Sequence, residues 1–275
     1  MRPWSGIGLL VVGGAVGAVA LAHARWRRDT AWAVVQLERL EPAGRTVSAE
    51  LPAPVARYFA FALPAGQAPI RGAHEVQRGE FLLRPGTWSP MRAEQHFSGG
   101  TPGFVWDASI RMNPLLTVRV RDSYLRGEGR MLGKVEALVP VVDQHGTREM
   151  AEASLQRWLA ETVWLPTALL PREGLTWSAL DAHTARVTVQ DSGVSASADF
   201  RFGAQGEIVE VSALRYRDVD GRPVLTPWKG RFWSYERVDG MQVPRGAEVG
   251  WELPEGLQLY WRARLESFEY ALEQR

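Results

Sequence analysis

The sequence predicts a mainly β protein of the α+β class, with one large curved antiparallel sheet, open like a half-barrel and capped by a few helices. Apolar and polar residues begin to alternate at Ile70 and do so again over the C-terminal part of the chain, which is the period of a strand. Turn signals with glycine separate these segments, including Asp-Gly pairs at 220–221 and 239–240. One long interior helix is predicted near residues 147–164.

Two segments define the faces of the predicted sheet. Leucine and valine alternate with threonine and arginine over residues 116–121, so one face is expected to be buried and the other solvated. Near the C-terminus, one face is expected to carry Leu257, Leu259, Trp261, Ala263 and Leu265. Phe268 and Tyr270 are out of phase with that face, which predicts a β-bulge near Glu266 or Ser267.

The stretch RWLAETVWLPTALLP, residues 157–171, begins as a helix and continues as apolar residues interrupted by prolines. Thr147 is suited to cap the helix, and Glu149 complements the positive end of its dipole. A curved sheet needs its concave face covered, because the apolar side chains there would otherwise meet water. We therefore predict that this helix and the residues behind it cover the hollow side of the sheet.

The chain is predicted to have three parts: a transmembrane anchor or signal segment at 1–25, an amphipathic helix and linker at 26–48, and a single β-rich domain at 49–275. Residues 6–22 contain no charged residue and approach the length that spans a bilayer. The AHA at 22–24 fits a signal-peptide cleavage site, whereas the arginines that follow favour an uncleaved anchor. We expect single-pass attachment to the cell membrane, and the sequence leaves the side of the membrane open.

Composition excludes several classes of function. The net charge of +1 lacks the basic excess of a nucleic-acid-binding protein. The absence of cysteine excludes disulfides, thiolate catalysis and cysteine-ligated zinc. The 12 tryptophans are too large to leave in water, so most should be buried or should face a ligand, a partner or lipid.

No catalytic or cofactor motif is present, and neither a cofactor nor a metal is expected. None of the histidines has a spacing such as HExxH. Asp143 and His145 are expected to point to opposite faces of a strand, which argues against a shared metal. Glu161 lies on the interior helix near Trp158 and Trp164, where burial would raise its pKa unless an arginine pairs with it. Enzymatic activity is less favoured than binding.

Aromatic residues provide the remaining candidates for a site. Tryptophans concentrate on the interior helix and on three predicted C-terminal strands, where they either fill the core or line an apolar pocket. The candidate lining of such a pocket is Trp158, Leu159, Glu161, Trp164, Leu169, Trp228, Trp233, Trp251 and Trp261.

Four segments carry a family resemblance: YFAFALPAG, FVWDASIRMNPLLTVRVRDSYLRGEGRM, RWLAETVWLPTALLP and TPWKGRFWSYERVDGMQVPRGAEVGWEL. In order and spacing they resemble an uncharacterised bacterial domain-of-unknown-function family, over roughly residues 50–270. The family implies no catalytic residue. The predicted architecture also resembles the LolA/LolB lipoprotein carriers, which implies an apolar cavity between an open curved sheet and its helices.

The leading functional hypothesis is a membrane-anchored, non-enzymatic module that binds a lipid, another apolar ligand or an envelope partner. One alternative is an enzyme that uses a partly buried acidic residue, Glu161 or Asp143. The other is a scaffold protein with a filled core. The volume and lining of the space between the sheet and the 147–164 helix should distinguish the three.

Overall fold

The computed structural model describes residues 4–41, 47 and 49–273. Its helices are α1 (Trp4–Glu38), α2 (Ala53–Ala62) and α3 (Arg148–Glu161), and two short 3-10 helices, Thr162–Trp164 and Pro166–Leu169, follow α3. The strands are β1 (Ile70–Arg84), β2 (Thr87–Ser98), β3 (Gly103–Arg111), β4 (Thr117–Leu125), β5 (Glu128–Val135), β6 (Val139–His145), β7 (Leu175–Ala179), β8 (Thr184–Asp191), β9 (Val194–Phe202), β10 (Ile208–Val219), β11 (Arg222–Val238), β12 (Met241–Leu253) and β13 (Gly256–Leu272).

All the strands join one 13-stranded antiparallel sheet in the order β6-β5-β4-β3-β2-β1-β13-β12-β11-β10-β9-β8-β7. Each half of the chain forms a meander of neighbouring strands, and the halves meet where β1 pairs with β13. The strands at the two edges, β6 and β7, are consecutive in sequence. The α3 segment between them therefore has to pass from one edge of the sheet to the other.

Helix α3 lies inside the bend of the sheet. It contacts β4 and β5 near one edge and β9 and β10 near the other, so the two ends of the sheet curve towards the same helix. Side chains also connect these ends: Tyr124 Oη donates to Asp191 Oδ2 at 2.7 Å, and Gln144 Nε2 donates to Asp218 Oδ2 at 2.7 Å. The predicted open curved sheet and the helix that covers its concave face are confirmed.

Two predicted hairpins close through type I′ turns. Asp220 and Gly221 both have positive φ, at 53° and 78°, and so do Asp239 and Gly240, at 46° and 85°. Such a turn matches the right-handed twist of the paired strands, and Asp-Gly tolerates it at low cost. These pairs join β10 to β11 and β11 to β12 with two-residue loops.

Strand β13 contains the predicted bulge and a second one. Val76 pairs with Ser267 and Gln77 with Leu265, which leaves Glu266 without a partner position, as predicted. A second register shift, against β12, leaves Tyr260 without a partner position. The prediction that Leu257 and Leu259 share a face with Trp261 is wrong, because the bulge at Tyr260 reverses the alternation of the strand.

The C-terminal half of α1 packs on the outer face of the sheet, at β2, β3 and β4. Trp26 is 3% exposed, and its Nε1 donates to both carboxylate oxygens of Asp107 at 3.0 and 3.1 Å. Thr30 Oγ1 donates to the same carboxylate at 3.0 Å, as does Arg119 Nη2 at 2.6 Å. Arg121 Nη1 donates to Thr30 Oγ1 at 2.9 Å. The face of β4 that we predicted to be solvated is therefore partly covered by a helix.

The N-terminal helix runs without a break through the boundary predicted at residues 25 and 26. In the part of the chain that the structure describes, no helix combines the length and the apolarity needed to cross a membrane.

Candidate functional site

A cavity of about 410 Å³ lies between α3 and the concave face of the sheet. Its walls are mainly apolar and come from both halves of the sheet and from the α3 segment. They comprise Phe81, Leu83, Arg84, Trp106, Met112, Val118, Val120, Asp122, Met131, Gly133, Val141, Val142, Arg157, Ala160, Glu161, Trp164, Arg215, Trp228, Phe232, Ala247, Val249, Tyr260 and Trp261. Volume and lining are those of a small-molecule pocket.

Exposure distinguishes the mouth of this cavity from its floor. Val141 is 54% exposed and Arg84 is also exposed, so these residues mark the side that opens to solvent. Trp106 and Trp164 are 3% and 2% exposed and form part of the floor. Trp164 is held in place because its Nε1 donates to the carbonyl oxygen of Pro244 at 3.0 Å.

Charged side chains form one part of the wall. Arg157, on α3, donates from Nη1 to Asp122 Oδ2 at 2.7 Å and from Nε to Glu161 Oε1 at 2.9 Å. Its guanidinium also lies over the rings of Phe104 and Trp106, at 4.8 and 4.9 Å from their centroids. One arginine thus compensates two carboxylates and makes cation–π contacts in an otherwise apolar setting.

A layer of buried amides extends this network into the sheet. Gln95 Nε2 donates to Glu161 Oε2 at 2.6 Å, and Gln77 Nε2 donates to Gln95 Oε1 at 3.2 Å. Gln77 Nε2 also donates to Glu75, and Gln77 Oε1 accepts from Trp106 Nε1 at 2.9 Å. A row of fully buried polar side chains therefore crosses β1 and β2 beneath the apolar lining. It consists of Glu75, Gln77 and Gln95.

The carboxyl groups of this network have perturbed pKa values. Burial raises the pKa of Glu161, although Arg157 opposes the shift, and the same two effects act on the pKa of Asp122. Burial raises the pKa of Glu75 well above its ordinary value, and the nearby Glu161 carboxylate raises it further. Glu75 therefore keeps its proton to higher pH than a solvated glutamate does, whereas Glu161 and Asp122 share the positive charge of Arg157.

Two lining residues offer free polar atoms. Among the described residues, Oδ1 of Asp122 and Nε of Arg215 are buried and have no hydrogen-bond partner. Arg215 is fixed in position by other atoms: its Nη2 donates to the carbonyl oxygen of Ala153 at 2.9 Å, and its guanidinium lies over Trp228 at 4.9 Å. Buried unpaired atoms are costly, so a polar group that entered the cavity would gain from pairing with them.

The structure brings only some of the predicted lining residues to the cavity. Glu161, Trp164, Trp228 and Trp261 line it. Buried in the core, outside the lining, are Trp158, Leu159 and Leu169.

The other two predicted lining residues lie elsewhere on the sheet. Trp233 is 38% exposed on the outer face, because its neighbour Phe232 points inward and successive strand residues alternate. Trp251 is half-buried and stacks on Tyr260, with ring centroids 5.8 Å apart, but is not part of the lining. The prediction that Trp233 and Trp251 line the cavity is wrong.

Sequence reasoning missed Tyr260, Asp122, Arg215 and Trp106. Tyr260 enters the lining next to Trp261 because of the bulge that leaves it without a partner position in β12. Asp122 and Arg215 lie on strands in opposite halves of the sheet, so only its curvature brings them to one wall. Alternation along β3 was the one available signal, since it places Trp106 on the inner face.

Comparison with known proteins adds a family and distant structural likenesses. No curated protein matches the chain. A LolA superfamily protein from Nitrosomonas europaea is 10% identical, with a TM-score of 0.39, over 83% of this chain and 96% of its own. A β-barrel-like protein of domain of unknown function DUF1849 from Brucella abortus is 9% identical, with a TM-score of 0.28, over 74% of this chain and 100% of its own.

The family predicted from the sequence is confirmed. The model of a family of unknown function, DUF6920, matches residues 49–270, which include α2, α3 and nearly the whole sheet. The chain therefore belongs to the DUF6920 family.

Proposed function

We propose that this protein is a binding module for a lipid or another amphipathic small molecule, and that the ligand occupies the cavity between α3 and the sheet. The observation that carries the proposal is an unfilled volume of about 410 Å³ with mainly apolar walls. Transfer of an alkyl chain from water to such walls contributes about 0.8 kcal/mol for each buried CH₂ group.

The charged part of the wall supports an amphipathic ligand over a plain hydrocarbon. Asp122 Oδ1 can accept a hydrogen bond and Arg215 Nε can donate one. A hydroxyl or amide group next to an alkyl chain can both donate and accept, so it would satisfy both atoms while the chain fills the apolar part. A pure hydrocarbon would leave both atoms unpaired.

The same geometry weighs against the two alternatives. A scaffold protein would have a filled interior, whereas this interior holds a cavity. An enzyme that used Glu161 as a base would need a free carboxylate oxygen. Both oxygens of Glu161 already accept hydrogen bonds, one from Arg157 and one from Gln95. The Asp143 form of the enzyme hypothesis lacks a cleft, because Asp143 is exposed and is not part of the cavity lining.

The test uses the full chain and compares a variant that fills the cavity with a control. Ala160 lines the cavity on α3, and Ala160→Leu would add side-chain volume to it. Ala56 is exposed on α2, so Ala56→Leu makes the same change outside the cavity. Native mass spectrometry would detect copurified lipid, and titration with a fluorescent fatty-alcohol probe would measure affinity.

We expect the wild-type chain and the Ala56→Leu variant to bind the probe equally. Ala160→Leu should weaken binding about tenfold, since the loss of two buried CH₂ groups is worth about 1.6 kcal/mol. Absence of both copurified lipid and probe binding in the wild-type chain would rule out the proposed function. So would equal affinity of the wild-type chain and the Ala160→Leu variant.

Residence at the cell membrane remains a proposal that rests on the uncharged segment at 6–22. Carbonate extraction of membranes from cells that express the full chain would test it. A chain released into the supernatant would contradict an integral anchor, and a reporter fused to Arg275 would establish the side of the membrane.

A further inference from the structure

The outer face of the sheet, opposite the cavity, carries a cluster of metal-ligating side chains. His74 on β1 pairs directly with His96 on β2, and the two imidazole rings stack with centroids 4.4 Å apart. Glu94 lies two residues before His96 and so points to the same face, where its Oε2 is 3.9 Å from His74 Nε2. One potential ligand atom from each of the three residues lies within 4.8 Å of the others.

Ordinary interactions do not account for this cluster. Within the described residues, Nε2 of His74 is buried without a hydrogen-bond partner. A bound cation would give that nitrogen a partner and would use the Glu94 carboxylate.

The surroundings of the two histidines favour a cation. They line a second cavity, between the sheet and the end of α1, together with Glu38 from the helix and Glu269 from β13. Glu269 is the register partner of His74 on the strand opposite β2. Arg71 lines the same cavity, so the site is not uniformly acidic.

We propose that His74, Glu94 and His96 bind a divalent transition-metal ion of the zinc class. Two imidazole nitrogens and one carboxylate are a common protein ligand set for Zn²⁺, and the adjoining cavity leaves room for water at a fourth position. Tetrahedral Zn²⁺ holds its ligand atoms about 3.4 Å apart, so the three side chains must close by up to about 1.4 Å. Glu94 can contribute to this closure, because its side chain is 61% exposed.

The proposed site was not expected from the sequence, and one interpretation of strand geometry is wrong. No metal site was expected, because the ligands come from two strands and no contiguous motif contains them. Residues two apart on a strand also share a face, contrary to the interpretation of Asp143 and His145. His145 Nε2 lies 3.7 Å from Asp143 Oδ1, at an exposed site where Asp143 also pairs with Arg130.

The experiment uses the full chain without a histidine tag, stripped of metal with EDTA and titrated with Zn²⁺ by calorimetry. The principal variant is His74→Ala/His96→Ala, and Glu94→Gln is a milder one that alters only an exposed carboxylate. His145→Ala/His183→Ala, at exposed positions, is the matched control. Co²⁺ replaces Zn²⁺ in a parallel titration, because its visible absorption reports the coordination geometry.

We expect one Zn²⁺ to bind each wild-type chain and each control chain with the same Kd. Glu94→Gln should weaken binding at least about tenfold and the double histidine variant at least about 100-fold, since one and two ligands are lost. Co²⁺ should give an intense visible band with the wild-type chain and lose it in both site variants. If Glu94→Gln and the double histidine variant bind Zn²⁺ as tightly as the wild-type chain, or the wild-type chain binds none, the site does not exist.

Discussion

Arg157 and Asp122 join α3 to β4 through a hydrogen bond of 2.7 Å between Nη1 and Oδ2. The same guanidinium pairs with Glu161, so a single positive charge holds two carboxylates at the cavity wall. Removal of the Arg157 charge would leave both carboxylates buried without a compensating positive charge.

Arg157→Met should therefore lower the free energy of unfolding by about 3–5 kcal/mol. The control is Arg148, on the same helix. Its Nε lies 2.7 Å from Glu152 Oε1, but the Arg148 side chain is 78% exposed. Arg148→Met should change the free energy of unfolding far less than Arg157→Met does, because solvent screens that pair. Urea denaturation of both variants measures the difference, and equal losses would contradict a buried role for Arg157.

The raised pKa of Glu75 predicts a specific pH dependence. The folded state keeps the proton on Glu75 to higher pH than the unfolded state does, so stability falls as pH rises from about 4.3, the unfolded value, through the raised folded pKa. Glu75→Gln resembles the protonated form and cannot ionise. Its stability relative to the wild-type chain should therefore increase steadily as pH rises above about 4.3.

Urea denaturation of both chains at a series of pH values between 4 and 8 provides the measurement. The difference between the two chains reports the ionisation of Glu75 together with its coupling to the nearby Glu161 carboxylate. A difference that does not change with pH would show that the carboxyl group of Glu75 does not titrate differently in the folded state.

Trp26 should hold α1 against the sheet. Trp26→Ala would remove its packing and both hydrogen bonds to Asp107, so amide hydrogen exchange should rise in residues 23–38 and on the covered parts of β3 and β4. Trp32 lies on the same helix but is 62% exposed, and Trp32→Ala should leave exchange unchanged. The docking would be disproved by equal exchange rates in the Trp26→Ala and wild-type chains.

The hydrogen bond between Tyr124 and Asp191 should contribute to the curvature of the sheet, because it joins β4 to β8 across the bend. Tyr124→Phe should cost about 1.5–3 kcal/mol, the range for a hydrogen bond to a charged acceptor. A double-mutant cycle with Asp191→Asn separates this pair from other effects. Strict additivity of the two substitutions would show that the pair makes no contribution.

Much of the fold follows from local signals in the sequence. Alternation of apolar residues predicted the strands, the Asp-Gly pairs at 220–221 and 239–240 predicted two tight turns, and Phe268 falling out of phase predicted the bulge at Glu266. Each is a property of a few adjacent residues. The second bulge, at Tyr260, has no such signal, because apolar residues continue on both sides of it.

The site was less predictable than the fold. Trp164, Trp228 and Trp261 reach the cavity as expected, since each is a large apolar residue on the inner face of its element. Trp233 differs from Trp228 and Trp261 in strand phase, which composition does not reveal. The charged wall depends on Asp122, Arg157 and Arg215, whose sequence separations are long and whose neighbours form no motif.

By itself, the sequence determined an antiparallel sheet, its tight turns, one interior helix and the family, because periodicity and turn chemistry are properties of neighbouring residues. Tertiary structure alone decided that the sheet bends until β4 and β10 face the same helix, which brings Asp122 and Arg215 into one wall. It also decided the pairing of His74 with His96 and the cover that α1 provides. These contacts join residues that are distant in sequence, and strand order and curvature create them.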